Sequence, residues 1–291
     1  MMPAWARYLY EENPVPFARL GEAVFDNFSA AVSSCTDKHP GYRLIAADGS
    51  TASYFSRDKY SPPGEYFISP GNSIKGAYSI HINAFQDLDS NLYTDALLQP
   101  VRHKDEFRAF CTIVDRLPLR ENTCNVYIGD RGYCSYNNMA HVIESGQYFM
   151  FRAKDIHSKG LTGNFDLPDE DSFDVPVTVT LTRSHSKKIS VTDGYRRFID
   201  KAASFDYIEY GSLDTYTMSF RIVRFPISDD TYECIVTNLP EDEFPIEDIK
   251  KIYYRRWGIE TSFRKLKYTI GLSNFHSYKP DFVMQEIWAR M

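Results

Sequence analysis

Hydrophobic and polar positions alternate between two periods along the chain. Leu20, Val24, Phe28 and Val32 form a helical stripe within Ala18 to Ser33, which His39-Pro40-Gly41 ends. A short apolar run, Tyr42 to Asp48 (YRLIAAD), predicts a strand closing at a Gly49-Ser50 turn. Tyr78 to Phe85 and Leu92 to Leu98 predict two more strands, joined as a hairpin through Asp87 to Asn91. Phe107, Phe110, Cys111 and Val114 give Lys104 to Leu117 a helical period. The run Asn125 to Asp130 (NVYIGD) predicts a strand ending on a carboxylate; a helix over Ser135 to Ser145 and a buried strand over Tyr148 to Ala153 follow.

The texture then changes. Residues 158–174 read as loop, and Phe173, Val175, Val177, Val179 and Leu181 alternate strictly, as one face of a half-buried strand does. Pro176 demotes that strand towards an edge. Tyr216 to Phe225 and Tyr232 to Thr237 are further strands, and one long helix is expected from Ile246 to Ile270, with acids at its start suiting the helix dipole. Strands interleaved with helices argue an α/β class. The expected segments are an N-terminal helical stretch 1–40, a core 41–157, a β-rich insertion 158–230, and a completion of the core over 231–291.

Composition narrows the class without naming a function. At 291 residues, 43% hydrophobic, with 21 Tyr and 20 Phe, the chain has ample apolar surface for a folded core, which excludes a disordered protein. No run approaches the roughly 20 apolar residues of a membrane span, and the start lacks the pattern of a secretory signal. Cys35, Cys111, Cys124, Cys134 and Cys234 form no CxxC pair, so neither zinc nor a disulfide framework is implied; free thiols fit a cytoplasmic protein. The net charge of −6 argues against nucleic acid only as an average. Residues 250–291 carry +6 and the remainder −12.

The positive segment also carries the most informative spacing. At 100° per residue, Tyr253, Arg256, Glu260 and Lys267 fall within an arc of about 60°. Beside them runs an apolar stripe of Ile252, Ile259, Phe263, Leu266 and Ile270. Helix geometry alone favours a solvent-facing row of ion pairs, with Arg256–Glu260 and Glu260–Arg264 spaced i,i+4. Asp48 in Asp48-Gly49-Ser50 and Asp130 in Asp130-Arg131-Gly132-Tyr133 shift that balance, although either aspartate alone reads as a turn former. Three converging carboxylates need a cation between them, and an all-oxygen donor set selects Mg²⁺ or Mn²⁺ over zinc.

The spacing Tyr253-x2-Arg256-x3-Glu260-x6-Lys267 resembles the YREK signature of the DDE transposases of bacterial insertion sequences, the cut-and-paste branch. Asp48 in DGS and Asp130 in DRGY match that family's two aspartates, and Tyr78-Ser79-Ile80-His81 resembles the strand between them. The resemblance implies a ribonuclease H-like mixed sheet flanked by helices, interrupted by a β-rich insertion before the last catalytic helix. It implies catalytic Asp48, Asp130 and Glu260 holding two Mg²⁺ or Mn²⁺ ions, for cleavage of transposon ends and strand transfer. Tyr253, Arg256 and Lys267 would hold DNA phosphate and help accommodate a flipped base. The partners implied are double-stranded DNA and a second copy of the chain, with no membrane, in a nucleoid-associated cytoplasmic setting.

Relatives stack the flipped base on an insertion tryptophan, whereas Trp5, Trp257 and Trp288 all lie outside residues 158–230. Trp257 reads as core. His81 reads as a hydrogen-bonded core residue rather than a ligand. Arg131 has two readings, phosphate contact or carboxylate pair, and the basic stretch Arg183 to Lys201 has two, a solvated face or a DNA track. With 47 residues before Asp48 and 24 after Lys267, the chain is expected to be truncated at both ends. Two other functions compete with a transposase: a non-catalytic remnant, and a ribonuclease H-like nuclease without strand transfer.

Overall fold

A computed structural model describes residues 41–57, 64–69, 76–117, 122–189, 194–229 and 231–291. The helix expected over Ala18–Ser33, with Trp5 and Cys35, lies outside the described residues, as does Asp193 of the basic stretch. The chain forms two compact units, Ala46–Ala109 with Trp257–Met291, and Gly41–Ile45 with Phe110–Arg256. Strand β1 (Tyr42–Tyr54) and helix α1 (Glu106–Arg116) contribute residues to both.

In the first unit β1 lies beside β3 (Ala77–Asp87), whose other edge pairs with β2 (Phe67–Ile68) and β4 (Tyr93–Pro100). The expected hairpin is present, in register from Ile80↔Pro100 to Gln86↔Tyr93. Its turn is built by the Asp87 carboxylate, which accepts the N–H groups of Asp89 (2.9 Å) and Ser90 (3.0 Å), and by Asn91 at φ 61°. From Tyr78 onward β3 is buried at every position, its polar residues included, as befits a strand covered on both faces. Helices α4 (Trp257–Tyr268) and α5 (Pro280–Arg290) complete the unit, burying Ile259, Phe263, Leu266, Val283 and Ile287.

In the second unit β5 (Cys124–Gly129), α2 (Tyr136–Glu144) and β6 (Tyr148–Ala153) form a parallel β-α-β step, in register from Val126↔Tyr148 to Gly129↔Phe151. Antiparallel pairing continues from β6 to β10 (Thr231–Thr237), then β9 (Thr215–Ser228), then β7 (Phe173–Thr182). Strand β8 (Tyr195–Phe198) adds in parallel beside Val179–Thr182 only. Pro176 therefore lies on the half of β7 that has β9 on one side alone, the edge position the proline suggests. The mixed α/β class expected from the pattern, strands in both senses flanked by helices, is what the chain adopts.

Three expectations change. The strand expected to stop at Asp48 runs on to Tyr54, so Asp48-Gly49 is mid-strand and not a turn. The helix expected from Ile246 to Ile270 is two helices, α3 (Ile246–Arg255) and α4, meeting at Arg256. Arg256 keeps helical angles (φ −50°, ψ −33°), but its N–H bonds Tyr253 O at 3.0 Å, three residues back, so the spiral tightens for one step. Trp257 is 54% exposed, not core, and Ile270 lies beyond the end of α4 at 53% exposure. No described helix is long and apolar enough to cross a membrane.

Candidate active site

The residues singled out by spacing divide between the two units. Asp48, Glu260 and Lys267 belong to the first; Asp130, Arg131, Tyr253 and Arg256 belong to the second.

In the first unit, β1 carries Asp48 part-exposed, with Oδ1 accepting the Gly49 N–H at 2.8 Å. Gly49 has a steric reason to be glycine. A Cβ there would stand 3.0 Å from His81 Nε2 and 3.4 Å from Glu106 Oε1. His81 is buried, as expected of a core residue, with Nδ1 3.4 Å from Thr51 Oγ1 and Nε2 3.2 Å from Glu106 Oε1. Burial lowers the His81 pKa, Glu106 opposes the shift and Lys104 adds to it. Tyr93 packs against the helix of Glu260. Its ring packs on Phe263 of α4 at 5.8 Å, and its hydroxyl senses Ser262 and Asp48. Burial pushes that hydroxyl up to about 12, with Ser262 pulling it down and Asp48 raising it further. Glu260 and Lys267 are part-exposed on α4.

In the second unit Asp130 stands where the sequence placed it, at the end of β5. It caps a short 3₁₀ turn, Arg131–Tyr133, by accepting the Arg131 N–H at 2.7 Å. The turn is fixed from behind. Tyr133 packs on Phe110 at 5.4 Å, Asn138 Nδ2 donates to Tyr133 O at 3.0 Å, and Gly129 lets the Tyr133 ring approach within 2.9 Å of where a Cβ would be. Tyr253 and Arg256 are both 3% exposed, with the Arg256 guanidinium 5.6 Å from the Tyr253 ring centre. The buried Tyr253 hydroxyl has no hydrogen-bond partner among the described residues. Its pKa rises through burial, is lowered by Arg256, raised by Asp130 and Glu233, and lowered again by Arg152. The charges of Arg256, Asp130, Glu233 and Arg152 therefore all act on one unsatisfied hydroxyl.

Two of those four were missed by spacing. Arg152 on β6 sits 3.8 Å from Asp130 Oδ1 and 3.2 Å from Glu233 Oε1 on β10. Glu233 is an 11%-exposed carboxylate directly before the fully buried Cys234, Ile235 and Val236. A charge inside such a run costs several kcal/mol unless paired. That anomaly, a Glu in an apolar strand, was the available signal.

Arg131 is exposed and forms no ion pair among the described residues. The basic stretch divides. The Arg183 guanidinium donates to the carbonyls of Phe205, Ile208, Asp200, Lys201 and Ala203, and Arg196 donates to those of Ser184, Ser186 and Ile189. Both arginines are loop ties. Lys187, Lys188, Arg197 and Lys201 are exposed.

Among the described residues no group of three or more His, Cys, Asp or Glu side chains is drawn together closely enough to hold a metal ion. Asp48 and Asp130 each spend one oxygen on the following N–H. The donor chemistry of Asp48, Asp130 and Glu260, oxygen only and part-exposed, fits a hard divalent cation.

Comparison with known proteins gives the family. The family described as "Transposase DDE domain" matches residues 39–291. The putative transposase InsL of insertion sequence element IS186A of Escherichia coli (strain K12) is 33% identical over 57 residues, 20% of this chain and 15% of that protein. The transposase of insertion sequence element IS421 of Escherichia coli matches to the same extent. The chain thus aligns with less than a fifth of the length of these relatives. A solved cryo-EM structure, a piggyBac transposase synaptic complex with hairpin DNA, is similar at a TM-score of 0.42 and 10% identity, over 85% of this chain and 45% of that one. With the match running through nearly all of the described sequence, the chain belongs to the transposase DDE domain family.

Proposed function

We propose that the chain is a divalent-metal-dependent DDE transposase of the YREK-signature branch, cutting transposon ends and joining them to target DNA. The observation that carries this reading is the buried Tyr253 hydroxyl, which has no hydrogen-bond partner among the described residues, with the Arg256 guanidinium 5.6 Å from its ring and the charges of Arg152 and Asp130 acting on it. A buried hydroxyl without a partner costs on the order of 1–3 kcal/mol, so a site that keeps one reserves it for a ligand. A phosphate oxygen meets that need and is attracted by the two arginines.

Asp48, Asp130 and Glu260 would hold two Mg²⁺ or Mn²⁺ ions, which when bound activate an oxygen nucleophile and stabilise the leaving oxygen. The chain's own groups do the rest. The cap bond from Arg131 N–H orients the Asp130 carboxylate before any ligand arrives. Tyr253 and Arg256, fixed by burial, bind one phosphate without losing side-chain freedom. Exposed Arg131 and part-exposed Lys267 contact flanking phosphates. Double-stranded DNA is the substrate, and two chains pair on it.

The test is cleavage and joining of DNA bearing the element's terminal repeats, with Mg²⁺ or Mn²⁺, for wild type and Glu260→Gln. Wild type yields cut and joined products and Glu260→Gln yields neither. Equal activity in the two overturns the assignment, and cut product without joined product points to a nuclease.

A further inference from the structure

Two of the largest exposed apolar side chains among the described residues stand at one pocket of the first unit. Phe55 is 87% exposed and Tyr268 is 79% exposed. Both line a cavity of about 450 Å³ together with Thr51 to Ser56, Gly76 to Tyr78, Leu272 and Ser273, and with Lys267. That volume lies within the range of roughly 300–1,000 Å³ typical of small-ligand sites. Its inner wall is built. Tyr54 and Tyr78 are buried with ring centres 5.9 Å apart, and Phe275 meets Tyr54 edge-on at 6.4 Å. The neighbouring chain is anchored by Ser56 Oγ, which donates to Tyr278 O at 2.7 Å. Arg57 adds a second cation, lying over the Tyr278 ring at 5.2 Å.

A solvent-facing Phe gains nothing from folding, and burial does not explain it. Exposed ring faces beside cations on a pre-formed wall are the features that bind single-stranded nucleic acid. Rings stack on bases of any sequence, and the cations follow the backbone. Gly76 is part of the fit, because a Cβ there would stand 2.4 Å from the Ile68 carbonyl oxygen, so β3 begins where only glycine allows close approach.

We infer that Phe55 and Tyr268 form a stacking site for an unpaired nucleobase, with the adjoining phosphate on Lys267. The inference rests on the proposed action on DNA and deepens it. The site belongs to the first unit and uses no residue of the β-rich segment 158–230. It binds unpaired DNA in preference to blunt duplex.

The experiment measures binding of the full chain to two oligonucleotides, a blunt duplex and the same duplex with a short overhang carrying 2-aminopurine. Wild type prefers the overhang and quenches its fluorescence. The exposed-site variants Phe55→Ser and Tyr268→Ser each lose roughly tenfold in overhang affinity, with blunt-duplex affinity and melting temperature unchanged. Phe55→Trp restores both the preference and the quenching. If the serine variants keep the overhang preference and the quenching, the stacking site is overturned while the proposed function stands. If wild type binds neither DNA, both fall. If the serine variants change only self-association of the chain, the face serves a second copy and the inference is again overturned.

Discussion

Asp48 and Asp130 look alike in sequence, each ending an apolar run beside a glycine, yet the fold treats them differently. Asp48 lies seventh in a thirteen-residue strand, so its position is set by the ladder on which β1 runs. Asp130 lies one residue past its strand, at the cap of a 3₁₀ turn whose far side is wedged by Tyr133. The glycines differ accordingly. Gly49 is needed because His81 and Glu106 crowd it, whereas Gly132 has nothing within 4 Å and the crowded residue of that turn is Gly129, ahead of the aspartate. One carboxylate is held by strand register, the other by a cap and a packed ring. Two constructions thus follow from similar local sequences, and only Asp130 stands at the turn that the pattern suggests.

The largest effects should fall on what the two aspartates share, their charge. Asn caps as well as Asp does, so Asp48→Asn and Asp130→Asn preserve the backbone bonds while removing the ligand. Each should cut DNA cleavage by at least the 10²–10³-fold typical of losing one preorganised electrostatic group. Each should also abolish the rise in melting temperature that Mn²⁺ gives the wild type. Cleavage within tenfold of wild type in either variant would remove that aspartate from the site.

A smaller loss separates the two regions. Arg152 stands beside Asp130 and is itself paired with Glu233, so Arg152→Gln and Glu233→Gln test positioning there. Each should lower the cleavage rate about 10–100-fold, the usual cost of losing a group that orients a ligand. The melting temperature should fall most in Arg152→Gln, which leaves the desolvated Glu233 unpaired, less in Glu233→Gln, where Asp130 still faces Arg152 at 3.8 Å, and recover in the double variant. Activity should not recover with it. Recovery of both would make the pair purely structural.

Packing gives the next contrast. Gly49→Ala and Gly129→Ala each drive a methyl against a ring, at 3.0 Å and 2.9 Å, and should cost about 1–3 kcal/mol in denaturant unfolding. Gly132→Ala should stay within about 0.5 kcal/mol of wild type. Were Gly132→Ala the damaging one, the turn would be fixed by its own glycine rather than by Tyr133.

Most strands and helices were legible because their burial is periodic. The β5 and β6 runs, the β3–β4 hairpin and the alternation of β7 were read to within about two residues. What escaped the pattern was non-local. Asp48-Gly49 reads as a turn until His81 and Glu106 are seen to occupy the space of the missing Cβ. The break at Arg256 has no proline to announce it. Gly258 stands next to the break, where a Cβ would meet Leu88 at 3.3 Å, a contact no helical wheel contains. Trp257 was assigned to the core by type, but the break leaves it exposed. Spacing singled out Tyr253, Arg256, Glu260 and Lys267, whereas Arg152 and Glu233 follow no spacing rule, since they meet only across β6 and β10.

The smallest effect lies away from the aspartates of the site, in a histidine clamp of the second unit. His141 on α2 bonds Asp115 through Nδ1 at 2.8 Å and Asp206 through Nε2 at 2.9 Å, with Tyr207 edge-on at 5.1 Å. Asn137 Nδ2 also donates to the Asp206 carboxylate at 2.9 Å, and Asn137 Oδ1 accepts the Asp206 N–H at 2.9 Å, so the loop before β9 is held to α2 by three bonds. Burial alone would lower the His141 pKa, but the hydrogen bonds and charges of both aspartates outweigh it and the net direction is upward from 6.5. A raised folded pKa means the protonated clamp stabilises the native state fully below about pH 6.5 and loses that contribution as pH rises through the folded value. Both aspartates are more than half exposed, so the amount is about 1 kcal/mol, the low end for a charged hydrogen bond. Melting curves from pH 5.5 to 8.5 should therefore show wild type losing stability relative to His141→Asn as pH rises, while DNA cleavage by the two stays equal at a fixed pH. A difference between the curves that is flat across this range would mean that folding leaves the His141 pKa unshifted and that the clamp does not favour the protonated ring.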